Sequence, residues 1–160
     1  MKEINICGAN RFDTYTKTRA ASRAVIIRGD DILLSYMKSE DTYMIPGGGA
    51  ENGESPEECC IREAEEETGL IVKPTRLFLT VNEFYEEYRY ISCYFICEIA
   101  GISTSHLTEA EMRAGLVPEW VPLAKAVQIF SHHNDLAGTY EEKRGLYQRE
   151  YTALTEYMKL

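Results

Sequence analysis

The spacing of apolar residues along the chain changes several times, and each change marks an element. From Ala20 to Ile27, and again from Ile32 to Met37, aliphatic and β-branched residues flank the polar run Arg28-Gly29-Asp30-Asp31. That pattern predicts a strand, a turn and a second strand. Tyr43-Met44-Ile45 reads as a short extended piece, because Pro46 biases the residue before it toward β. The run from Pro56 to about Thr68 is helical. Ser55 is its N-cap, Pro56 suits the first helical position, Glu58 completes an S-x-x-E capping box and Gly69 marks its end. Leu70 to about Glu83 and Glu87 to Ile99, rich in Val, Ile, Phe and Tyr, predict two more strands. Residues 103 to 115 read as a polar, acidic loop, Trp120-Val121 as a short strand, and Leu123 to Ser131 and Glu141 to Met158 as helices. Residues 1 to 18 are weakly patterned and are expected to form an arm or edge strand ahead of a domain spanning 19 to 160. Strands and helices mix without a regular βαβ rhythm, which predicts an α/β sandwich with a mixed sheet.

Composition narrows the range of partners. The chain has 160 residues and a formal net charge of −9. Such a charge disfavours non-specific binding to nucleic acid or to an anionic membrane. It leaves room for a small phosphorylated ligand, because a bound metal and a few arginines can invert the local field. No apolar run long enough to span a bilayer occurs, and the N-terminal residues lack the apolar core of a secretory signal. The five cysteines, Cys7, Cys59, Cys60, Cys93 and Cys97, are odd in number and form no CxxC pair. They are expected to be reduced and mostly buried in a cytoplasmic protein. A homodimer is compatible with the tyrosine-rich strands, though nothing requires one.

The helix from Pro56 carries the most informative chemistry. Positions i, i+3 and i+4 share a face, so Glu63, Glu66 and Glu67 line up. A solvated acidic face is the ordinary explanation for such a run. Against it, Glu65, Glu66 and Glu67 occupy the last turn, where the helix dipole disfavours anions, and Glu63 and Glu67 repel across one turn. Gly47, Gly48 and Gly49 precede the helix, and such residues permit close approach of a ligand to backbone. Gly53 allows a second bend that carries Glu54 to the helix start, within reach of loop amides. Clustered oxygen donors behind a glycine-rich loop suit Mg²⁺, or Mn²⁺, bound together with substrate phosphate.

The same residues resemble a known family. Gly48, Glu54, Arg62-Glu63, Glu66-Glu67 and Gly69 fall on all seven fixed positions of the Nudix box, GX5EX7REUXEEXGU, with Ala64 and Leu70 at its aliphatic sites. The resemblance implies a Nudix-like α/β/α sandwich that hydrolyses a diphosphate linkage in a nucleoside diphosphate derivative by attack of water on phosphorus. It implies Glu63, Glu66, Glu67 and the carbonyl of Gly47 as metal ligands, and a structural pairing of Arg62 with Glu54 or a ligand carboxylate. Glu66 and Glu63 are the candidate bases within the box; Glu109 and Glu111 are candidates outside it, and Glu83, Glu86 and Glu87 at the hairpin are weaker ones. Arg23, Gly48, Gly49 and Tyr88 are candidate substrate contacts, with Arg23 equally readable as a strand-edge arginine. A non-catalytic nucleotide-sensing module on the same scaffold is the alternative function.

Overall fold

The computed structural model describes residues 2–160. Eight strands build the sheet: β1 (Lys2–Cys7), β2 (Lys17–Arg28), β3 (Asp31–Met37), β4 (Thr42–Met44), β5 (Gly47–Gly49), β6 (Leu70–Tyr85), β7 (Tyr88–Ile102) and β8 (Leu116–Pro122). The order is β1-β6-β7-β2-β3-β4, with β5 also paired to β2 and β8 to β3. β1–β6 and β2–β7 are parallel and the remaining pairs antiparallel, so the sheet is mixed. The helices are α1 (Pro56–Thr68), α2 (Glu109–Ala114), α3 (Leu123–Ser131) and α4 (Glu141–Tyr157). Among the described residues no helix is long and apolar enough to cross a membrane.

Alternation along β2 decides the layering. Ala24 and Ile26 point to one face and pack with Cys60 and Ala64 of α1 and Phe95 and Cys97 of β7. Val25 points the other way, into a larger cluster with Val81, Tyr94, Phe130 and Leu154, which brings in α3 and α4. Successive strand residues face opposite sides, so one strand serves both cores and the result is an α/β/α sandwich. The helix α1 starts and stops where its signals predict. Ser55 Oγ accepts from the Glu58 amide, Glu58 returns the bond to the Ser55 amide, and Gly69 adopts the left-handed conformation at φ 70°.

Three local expectations are corrected. The triple glycine is a strand and not a loop: Ala21, Ser22 and Arg23 of β2 pair with Gly49, Gly48 and Gly47. The acidic segment 103–115 contains α2, nucleated by a second capping box between Thr108 and Glu111 that is legible as T-x-x-E. Glu83 does not sit at the hairpin, whose turn is Glu86-Glu87; it lies inside β6 and is 3% exposed.

Replacing Ser55 by Ala removes the acceptor for the Glu58 amide and half of the capping box. The expected loss is about 1 kcal/mol of stability, read from urea unfolding. An unchanged midpoint would show that the start of α1 is held by its packing and not by its cap.

Candidate active site

Arg62 organises the front of α1. Its Nε and Nη2 donate to the two carboxylate oxygens of Glu54 at 2.8 and 2.9 Å, a bidentate pair, and Nη2 also donates to the carbonyl of Gly49 at 3.0 Å. Its Nη1 donates to Glu63 at 2.8 Å and to Glu66 at 3.1 Å. One guanidinium therefore fastens the loop, the glycine strand and the helix, and lies between two carboxylates of the box. Glu54 is held down at about 2 by the Arg62 hydrogen bonds, helped by the amide of Glu51. Burial raises Glu63, although Arg62 opposes the shift.

Glu67 plays a different part. It is 4% exposed, and its Oε2 accepts from the Ser35 hydroxyl at 2.6 Å and the Gly47 amide at 3.2 Å. It thus links α1 to β3 and β5. Burial pushes it up to about 7, against the downward pull of the Ser35 hydrogen bond, Arg23 and the Gly47 amide. Ser35 carries no signal of this role in the sequence, since a serine inside an apolar strand reads only as a tolerated polar residue.

Arg23 is not a strand-edge residue. It lies in a central stretch of β2, 9% exposed, and its Nη1 donates to the carbonyls of Ile45 at 3.2 Å and Gly47 at 2.7 Å. The Gly47 carbonyl thus points to a guanidinium in this structure. Arg23 also lines a cavity of about 300 Å³ together with Gly48, Gly49, Arg19 and Arg149. Tyr90, and not Tyr88, is in that lining; Tyr88 stacks on Tyr90 at 5.2 Å between ring centroids, with the Lys17 ammonium over its ring. The place of Arg19 was open to view on the alternation of β2, four residues from Arg23. Arg149, from the far end of the chain, was not.

The outlying acids divide. Glu111 is committed to the cap of α2, whereas Glu109 is exposed beside Arg113. Glu83 pairs with Arg149 at 3.2 Å beneath α4. His132 is exposed beside Asp135 and is remote in sequence and contact from the box. A second cavity, of about 290 Å³ beside Tyr43 and Tyr147, contains none of the box residues.

Among the described residues no group of three His, Cys, Asp or Glu side chains forms a preassembled metal cage. The donors nonetheless fit a hard divalent cation. All are oxygens, and Mg²⁺ uses only one or two carboxylates and completes its shell with water and phosphate. Glu63 and Glu66 already converge on a single cationic nitrogen of Arg62.

A family model of the NUDIX domain matches residues 17–142. The chain is 28% identical over 143 residues to a mouse protein named diphosphoinositol polyphosphate phosphohydrolase 3-alpha, covering 86% of this chain and 85% of that one. Among solved structures, a NUDIX hydrolase from Nitrosomonas europaea aligns with a TM-score of 0.64 at 18% identity, over 89% of this chain and 90% of the other. An ADP-ribose pyrophosphatase from Streptococcus suis aligns with a TM-score of 0.51 at 21% identity, over 66% and 75%. The fold is common to these structures.

The raised Glu67 makes a pH-dependent prediction. Its carboxyl is protonated up to about 7 in the folded chain but ionises in the ordinary carboxylate range when unfolded. Between those values the folded state binds more protons, so stability falls as pH rises through that window. In the metal-free protein, Glu67→Gln should raise Tm by roughly a few degrees at about pH 8 and leave it unchanged at about pH 4. A lower Tm at the higher pH, by calorimetry in chelator, would show that the ionised carboxylate stabilises the fold.

Proposed function

We propose that this chain, which belongs to the NUDIX family and is a hydrolase of pyrophosphate bonds, acts with Mg²⁺, or with Mn²⁺ in its place, on a nucleoside diphosphate derivative. The observation that carries the reading is the Arg62 fork. It holds Glu54, Glu63 and Glu66 and the carbonyl of Gly49 in one assembly beside a strand with no side chains. In this reading Glu63, Glu66 and Glu67 would hold the cation, and the Gly47 carbonyl, which accepts from Arg23 Nη1 at 2.7 Å, would be the further donor. The cation supplies neutralisation of diphosphate charge and polarisation of the phosphorus–oxygen bond.

The chain's own residues divide the remaining work. Glu66 is the most open of the three carboxylates: its side chain is 38% exposed, against 12% for Glu63. We assign it the acceptance of a proton from the attacking water. Arg62 and Glu54 position the helix carboxylates and do not react. Gly48 and Gly49 leave room for the diphosphate against backbone, and Arg23 offers positive charge on the other side of that strand. Glu109 and Glu111 are kept as alternative bases, of which Glu111 contributes to the field at Glu63. Tyr88 supports the cavity through Tyr90. A cytoplasmic setting suits the five free thiols.

A second reading has specific support. The mouse relative is named for diphosphorylated inositol polyphosphates, and three arginines line the cavity beside the glycine strand. The substrate would then carry a phosphorylated polyol in place of a nucleoside.

Cleavage should be followed by chromatographic separation of the two phosphorylated products, with Mg²⁺ and with Mn²⁺, across nucleoside diphosphate sugars, ADP-ribose and dinucleoside polyphosphates, and by release of phosphate from diphosphoinositol polyphosphates. At least one should turn over, and Glu66→Gln should lower kcat by about a hundredfold or more with little change in KM. Binding of a nucleotide without turnover of any substrate would favour the sensing module instead.

A further inference from the structure

The cavity beside the glycine strand has a composition that diphosphate cleavage alone does not explain. Three arginines line it, Arg19 and Arg23 from β2 and Arg149 from α4, and no carboxylate is among the lining residues. In a chain of net charge −9, this concentrates like charge against the overall balance. The carboxylates that compensate lie behind Arg149. Glu83 accepts from its Nη1 at 3.2 Å and Glu150 from its Nη2 at 2.9 Å, while the Tyr94 hydroxyl oxygen accepts from its Nε at 3.1 Å. Those bonds use three of the five N–H groups of the guanidinium and fix its plane, leaving two N–H groups without protein acceptors.

Arg23 points to the same conclusion independently. It is more than nine-tenths buried, it lines the cavity, and its Nε has no hydrogen-bond partner. A buried guanidinium with an unpaired donor is costly, and an anionic group in the cavity that Arg23 lines would offset its charge. Arg19, four residues earlier on the same strand face, adds charge at the exposed side. Only glycine backbone separates this cavity from the acidic box. Gly48 lines the cavity, and a Cβ placed on it would lie 2.4 Å from a carboxylate oxygen of Glu63.

We propose that Arg23, Arg149 and Arg19 form a subsite for a phosphate monoester borne by the substrate outside its diphosphate, so that the group attached to the diphosphate is itself anionic. This subsite rests on the diphosphate-hydrolase reading for its place in catalysis. Gly48 borders both the cavity and the Glu63 carboxylate, which places the arginines next to the box. The shared chemistry is a phosphate monoester, and it has two sources: a polyphosphorylated polyol, or a nucleotide phosphorylated on its ribose.

The test is isothermal titration calorimetry on the full chain in EDTA, with inositol hexakisphosphate and, separately, with an adenosine bisphosphate carrying both phosphates on the ribose. At least one probe should bind, and which one identifies the source. Arg19→Gln and Arg149→Lys should each weaken that binding by about tenfold or more, and added salt should weaken it further. Arg19 is exposed, and lysine keeps a cation between Glu83 and Glu150, so neither variant empties the core of its charge balance. Failure of wild type to bind either probe, or wild-type affinity in both variants, would overturn the subsite. No bond is cleaved under chelation, so these outcomes stand apart from turnover, whose absence would count against the hydrolase reading alone.

Discussion

The strand Gly47–Gly49 is the constraint on which the rest of the site depends. It is clamped between β2 on one side and α1 on the other, with backbone excluding a side chain at Gly47 and the Glu63 carboxylate occupying that place at Gly48. A Cβ on Gly47 would fall 2.0 Å from the Ser22 carbonyl oxygen, and φ there is +145°, a region L-residues rarely adopt. A Cβ on Gly48 would overlap the Glu63 carboxylate. The three glycines therefore form a wall one backbone thick. Glu63 and Arg62 approach it from the α1 side, and Arg19, Arg23 and Arg149 line the cavity beside it.

That wall also explains how charge is distributed in an acidic protein. Each set of like charges is held by an opposite charge beside it. Arg62 gathers Glu54, Glu63 and Glu66, and Glu83 and Glu150 retain Arg149 from behind. Glu67 and Arg23, which both hydrogen-bond Gly47, are balanced less completely. Glu67 is buried with a carboxyl that burial pushes up to about 7, and Arg23 keeps a donor without a partner. Strained electrostatics of this kind lower stability and are characteristic of places where a ligand completes the set.

Much of this was legible in the residues. The capping pair Ser55 and Glu58, the stop at Gly69 and the i, i+3, i+4 placement of Glu63, Glu66 and Glu67 are local properties of a continuous segment, and they decided where α1 lies and which side chains it presents. The box spacing from Gly48 to Leu70 pointed to the NUDIX family for the same reason: its chemistry is held within one loop and one helix. The capping box of α2 was equally local, but its acidic surroundings masked it as loop.

What lay beyond the sequence was every feature that needs two distant segments at once. Gly47–Gly49 became a strand only because β2 supplied its hydrogen-bond partners, which no glycine pattern announces. The partnership of Ser35 with Glu67, the burial of Arg23 and the arrival of Arg149 from α4 join residues dozens of positions apart. Helical and capping preferences act over a few residues and can be read in order along a chain. Burial, and the pKa values and unpaired donors it produces, is set by which segments pack together, and only the folded sheet and its two helical layers decided that.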